Sequence, residues 1–283
     1  MICASIEKFK YDSKSKDYFS FCDAIYIITL KKDKLTENQK TSIRNIDKCG
    51  CGFKTYWCLA KGFKNCDQIN AEYNITYNNY IITEHALKNK FNNIVIFEDD
   101  VVITENLWYK YDERKEYILD LLKNKIDVPL AFYFGYWPII NFKYNKYINK
   151  GRYLYTHCYL LNLKGIQRVN SYKKNIIFKN IWDRGIDFML FYDYFFHIYG
   201  IRPNNTFFQK NDSKSKTALI MKNKTDFGLT HNFIKLQKYF TGNYYYQYDP
   251  KFAPIYENII ETTSKSIQLF SYLILLYFSN KLL

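Results

Sequence analysis

Three consecutive carboxylates, Glu98, Asp99 and Asp100, end the apolar run Ile94-Val95-Ile96-Phe97. No other run of three consecutive carboxylates occurs in the sequence. Like charges this close repel, and a divalent cation is the simplest way to keep them ionised. Oxygen-only donors favour Mg²⁺ or Mn²⁺, which keep some waters and share their remaining positions with substrate phosphates. In an extended chain Glu98 and Asp100 point to one side and Asp99 to the other. The plainer reading of the same residues is an acidic turn after a strand, or a helix cap.

The elements around the acids decide what they can do. A short continuous apolar run is the pattern of a strand buried on both faces of a parallel sheet. Open α/β sheets bind ligands at the carboxyl ends of their strands, which is where these acids fall. Upstream, Ala24–Leu30 reads as a first buried strand, and Thr36 caps a helix to about Asp47 with Gly50 as its stop. Phe53–Leu59 reads as a second strand, and residues 69–91 carry apolar residues at helical spacing. The chain up to the acids is thus β-α-β-α-β, which predicts an α/β fold with a mostly parallel central sheet.

Downstream, Glu113–Lys123 reads as a helix and Leu130–Phe134 as a strand closed by Gly135. Gly151 marks a turn, Tyr153–Leu161 a strand and Leu163–Tyr172 a short helix. Gly185–Tyr199 is apolar on nearly every face and reads as a buried helix ended by Gly200. Thr206–Gln209 is a short last strand. Residues 1–21 are polar and read as a flexible N-terminal extension, 22–216 as the catalytic domain, and 217–283 as a C-terminal region with an apolar tail helix. The apolar core of 264–283 is shorter than the ~20 residues a bilayer span needs. It reads as a docking helix, with a peripheral membrane contact or a homodimer contact as the alternative.

With 20% aromatic residues the chain is not disordered. Its net charge of +14 suits a polyanionic partner such as a nucleotide diphosphate or an acidic membrane surface. The lysines are scattered, however, and no basic run marks a nucleic-acid arm, so no nucleic acid is expected. Seven cysteines is an odd number, and the first residues lack an apolar signal-peptide core. Free thiols in the cytoplasm follow as the expectation. Cys49, Cys51, Cys58 and Cys66 lie close together, but their spacing does not match paired zinc knuckles.

Several stretches, in this order, resemble glycosyltransferase family 25, the lipopolysaccharide- and procollagen-type sugar transferases. The first strand with Leu30-Lys31-Lys32-Asp33-Lys34 is similar to the family's opening strand and charged turn. Thr83-Glu84-His85 stands in the place of its Ser-His helix, and Ile96–Val101 resembles its Glu-Asp-Asp signature. Thr156–Leu161 followed by Lys164-Gly165 resembles its Thr-x-Ala-Tyr strand and Lys-Gly helix start. Ile186-Asp187-Phe188 is similar to its late Asp motif, and Phe208-Gln209 to its closing segment. Thr29 stands where the family has Asn, lysines replace the arginines of the charged turn, and the closing Ser-Asp-Ile is absent.

The resemblance implies a GT-A type, Rossmann-like nucleotide-sugar domain. It implies transfer of a hexose, glucose or galactose, from a UDP-sugar to an acceptor hydroxyl on a glycan, glycolipid or glycoprotein, with inversion. Glu98 and Asp100 would hold Mn²⁺ or Mg²⁺, with His231 as a third ligand. Thr29, Leu30, Lys31, Lys34, Glu98, Asp99, Thr156 and Gln209 would line the donor site. Asp187 would be the catalytic base, or the cap of its helix, and His85 would hold a catalytic loop or a substrate hydroxyl. His157 could reach the donor site from the neighbouring strand, on the face opposite Thr156. Two other classes compete: a sugar- or membrane-binding module with a degenerate site, and a two-metal phosphoryl-transfer enzyme on nucleic acid.

Overall fold

Strand β4 (Asn93–Glu98) lies inside the main sheet, and Ile94, Val95, Ile96 and Phe97 are all fully buried. Burying four such side chains is worth roughly 6–12 kcal/mol. Repulsion between neighbouring carboxylates is on the order of 3 kcal/mol at an effective dielectric of ~20. Burial therefore wins, and the strand delivers its acids to the sheet edge despite their mutual repulsion.

The structure is a computed structural model that describes residues 5–9, 18–29, 35–49, 54–59, 71–104, 107, 110–172, 186, 190, 193–202, 207–209 and 253–282. Among these, seven strands form one sheet in the order β1 (Ser5–Lys8), β3 (Thr55–Leu59), β2 (Ala24–Thr29), β4, β7 (Ile148–Asn162), β6 (Leu130–Lys143) and β8 (His197–Ile201). Helix α1 (Glu37–Lys48) connects β2 to β3, and α2 (Ala71–Lys88) connects β3 to β4. Ile43 and Ile46 of α1, with Ile118 and Leu121 of α3 (Tyr111–Asn124), cover one face of the sheet. Tyr80, Ile82 and Ala86 of α2, with Ile166 and Val169 of α4 (Leu163–Ser171), cover the other. The chain thus leaves β2 to one side through α1 and returns to its other side through α2.

The architecture is a mixed α/β one, and in three respects it departs from the sequence expectations. The sheet is mixed and not mostly parallel, because three pairings are parallel and four antiparallel. The antiparallel half comes from the β6–β7 hairpin, whose short turn at 144–147 leaves no room for a crossover; Asn145 Oδ1 accepts there from the N–H of Tyr147 (2.9 Å) and Ile148 (2.8 Å). Strand β6 does not stop at Gly135 but runs on through Pro138, where register shifts accommodate the missing N–H. Gly151 is no turn either: it sits inside β7, where the β6 backbone comes close.

The second departure is the buried helix expected over Gly185–Tyr199. Ile186 and Leu190 are helical, but the chain turns at Asp193 and continues as β8, parallel to Leu130–Tyr133. A run apolar on nearly every face carries no clear period, so helix and central strand look alike in it. Gly200 lies inside that strand. The third departure is the flexible extension expected over 1–21. Ser5–Lys8 forms the edge strand β1, antiparallel to β3, and Tyr18 and Phe19 are buried in the core. A short polar edge strand is held by backbone pairing, which leaves no side-chain pattern to read.

The tail does form a helix, α5 (Ala253–Leu282). Among the described residues, no helix is long and apolar enough to cross a membrane.

Candidate functional site

The carboxyl ends of β2 and β4 lie side by side, in register up to Ile28 opposite Glu98. The N–H of Asp99 adds one more ladder bond, to the Ile28 carbonyl at 3.2 Å. The strand order reverses at this point, the chain passing from β2 to β3 on one side and then to β4 on the other, and strand ends at such a switch point are the position at which open α/β sheets take ligands. Thr29 and all three acids stand at that edge.

Glu98 shares a face with Ile94 and Ile96, on the α2 side of the sheet. Phe97 lies opposite Cys158 in the antiparallel β4–β7 ladder, so the next pair outward is Glu98 with His157. The structure brings them together, with Glu98 Oε2 3.2 Å from His157 Nδ1. A carboxylate can only accept, so the ring nitrogen donates and fixes the orientation of both groups. Thr156 is the neighbouring residue of β7.

Asp99 goes to the opposite face. Its Oδ2 accepts from Gln39 Nε2 at 3.0 Å. Gln39 also closes the cap of α1, its Oε1 accepting from the Thr36 N–H (2.8 Å) while its own N–H donates to Thr36 Oγ1 (3.3 Å). One side chain thus ties the helix start to the acid. Sequence reasoning found the Thr36 cap but not Gln39; the Thr-x-x-Gln capping-box spacing was the signal that could have found it.

Glu98 ends the strand, and Asp99 and Asp100 form a turn. The alternation that would have placed Glu98 and Asp100 on one side therefore stops one residue too early. After the turn, β5 (Val101–Ile103) pairs antiparallel with β9 (Phe207–Gln209), Val101 opposite Gln209. That pairing draws the backbone of Gln209 next to the acidic turn. Leu30, Lys31, Lys34, Asp187 and His231 lie outside the described residues.

His85 is not brought to the acids. It sits near the end of α2, packed among the rings of Tyr26, Tyr56 and Phe91. Its Nδ1 is 2.8 Å from the Tyr26 hydroxyl and its Nε2 3.2 Å from Asn89 Nδ2. The Asn89 amide nitrogen donates, so the consistent tautomer carries its proton on Nδ1 and passes it to Tyr26. Burial, followed by the nearby Lys88 charge, lowers the His85 pKa and favours this neutral ring. Its contacts are those of a packing residue that fastens α2 to β2.

Among the described residues, no group of three or more His, Cys, Asp or Glu gathers closely enough to hold a metal ion. Cys49 and Cys58 do not share a zinc site, because they belong to core clusters on opposite faces of the sheet. Burial pushes both thiols up to about 12, where they stay protonated.

Burial also raises the Asp99 pKa, Glu98 adding to the shift while the Thr29 hydroxyl and the Gln39 amide oppose it. The folded chain therefore holds the Asp99 proton more tightly than the unfolded chain does, and stability from this group is lost as pH rises through its folded pKa. Asp99→Asn keeps an acceptor for Gln39 and removes the buried charge. The variant is expected to match or exceed the parent's stability at neutral pH, with the advantage vanishing below the ordinary carboxylate range. Urea unfolding at the two pH values measures this; a less stable variant at neutral pH would mean that charge-assisted bonding to Gln39 outweighs burial.

No family model matches the chain, and no curated protein matches it. Among solved structures it is similar to a glycosyltransferase involved in the glycosylation of the major capsid of PBCV-1, at 11% identity and a TM-score of 0.40, over 62% of this chain and 81% of that one. It is also similar to A197 from STIV, at 9% identity and a TM-score of 0.39, over 67% of this chain and 85% of that one. At that distance neither likeness assigns the chain to a family.

Proposed function

We propose that the chain is a metal-dependent transferase that moves a hexose from a UDP-sugar to an acceptor hydroxyl, on a GT-A type domain. The observation that carries this reading is the position of the acids: three carboxylates at the carboxyl end of β4, beside the end of β2, where the strand order reverses. The ordered resemblance of the short motifs to family 25 supports it independently.

The donor set is compatible with Mg²⁺ or Mn²⁺. Such ions are held by one or two carboxylates together with substrate phosphates, so they do not need a three-residue protein cage. Glu98 and Asp100 would hold the ion, which supplies positive charge to the diphosphate as its negative charge grows. His157 orients Glu98 by donating to it. Asp99, held toward α1 by Gln39, contacts the ribose or steadies the turn. Lys31 and Lys34, shortly after β2 in sequence, would supply positive charge to the phosphate oxygens. Asp187 takes the proton from the acceptor hydroxyl; that oxygen bonds to the anomeric carbon as the bond from this carbon to the UDP oxygen breaks, with inversion.

The test is UDP release from a panel of UDP-sugars, with Mn²⁺ or with EDTA. Release from one sugar that EDTA suppresses is the expected result. No turnover with any sugar, together with no UDP binding by calorimetry, would remove the transferase reading and leave a binding module in its place.

A further inference from the structure

Helix α5 is built the wrong way round for a helix of a water-soluble domain. Glu257, Glu261 and Ser264 recur at helical spacing and are buried, together with Ile260. Each has a specific partner on the domain. Glu257 Oε1 accepts from the Tyr136 hydroxyl at 3.0 Å and lies 3.5 Å from Asn149 Nδ2. Glu261 accepts from Arg202 at 2.8 Å and from Lys265 at 2.7 Å, and Ser264 Oγ accepts from the Asn141 N–H at 3.1 Å. This inward stripe is satisfied by hydrogen bonds, so the helix is docked and its orientation is fixed.

The outward side is apolar. Every residue from Lys265 to Ile274 is exposed, and Ile267, Leu269, Phe270, Tyr272, Leu273 and Ile274 are each between 41% and 65% open. At ~100° per residue these side chains point in every direction around the axis. A helix apolar all round is ordinarily surrounded by apolar matter. A second copy laid along it would cover one side only, whereas a lipid leaflet covers all of them.

Length and charge narrow the choice further. The uncharged stretch Ser266–Asn280 is bracketed by Lys265 and Lys281 in a chain of net charge +14. Its length of ~20 Å falls short of the ~30 Å hydrocarbon core. Lysines at both ends suit anionic headgroups, with their stems along the apolar surface.

We propose that α5 seats the protein on a membrane: its polar stripe grips the β6–β7 hairpin, and the part from Ile267 onward enters one leaflet of an anionic bilayer without crossing it. This anchoring is independent of the transferase activity. Flotation of the full chain through a density gradient with phosphatidylcholine–phosphatidylserine vesicles tests it, beside the double variant Phe270→Glu/Leu273→Glu. Both side chains are exposed, so the variant's circular dichroism and melting should match the parent's. The parent is expected to rise with the vesicles and the variant to float about tenfold less or lower still. Aggregated protein sinks and so cannot imitate the parent's flotation, and a variant that melts as the parent does has not lost flotation through misfolding. A parent that stays at the bottom, or a double variant that floats equally, overturns the proposal. A parent found at the bottom as an oligomer that the variant loses would assign the helix to a second copy.

Discussion

Replacing Glu98 by Gln is expected to lower turnover of the UDP-sugar by about 10²–10³-fold, the scale set by removing one preorganised electrostatic group. The unfolding midpoint should move by only a few degrees. The two outcomes separate because the substitution changes charge and almost nothing else. Gln is isosteric, and its carbonyl oxygen can still accept from His157 Nδ1 across the β4–β7 ladder. What disappears is the negative charge that a divalent ion, and through it the leaving diphosphate, requires. His157 acts through Glu98, so its replacement should cost less and should depend on the donor retained. His157→Asn keeps an N–H near the Nδ1 position, whereas His157→Phe removes it and should be the more damaging. Their effect should appear as a weakened dependence on Mn²⁺ concentration. Full turnover by Glu98→Gln would remove this acid from the reaction.

The parts of the site that could be read in advance are those set by local chemistry. Strand β4 announces itself through four apolar residues and the acids that stop it, and α1 through Thr36. What could not be read is set by register between distant segments. Nothing in the order of residues says that Glu98 meets His157; that follows from Phe97 lying opposite Cys158. The same is true of Gln39 reaching Asp99 across 60 positions. His85 shows the opposite failure, because its nearness in sequence to the acidic strand suggested a role that the antiparallel run of α2 denies it. The helix carries His85 back toward the start of β2, where Tyr26 and Tyr56 take it up. Strand β8 was hidden for a different reason, since a segment buried on both faces loses the alternation that identifies a strand.

Gly151→Ala is expected to destabilise the protein by about 3 kcal/mol or more, the upper range for forcing extra volume into a packed interior. The melting temperature should drop by roughly 6–12 °C. A Cβ at Gly151 would lie 2.0 Å from the Ile140 carbonyl oxygen and 2.7 Å from the Tyr153 ring. The ring could move, but the carbonyl belongs to the facing strand and cannot. The β6–β7 ladder would have to part where Asn141 pairs with Gly151, beside the register shift after Pro138. That is also where Ser264 of α5 accepts from the Asn141 N–H, so the damage should spread to the docked helix. Gly200→Ala supplies the contrast. Its nearest neighbours are all atoms of the Tyr136 ring, the closest at 2.3 Å, so a smaller residue at 136 should recover part of the loss there. Trimming Tyr153 should recover little at Gly151, because the obstacle is backbone. If Tyr153→Leu did rescue Gly151→Ala, the close approach of the two strands would not be what requires glycine at this position.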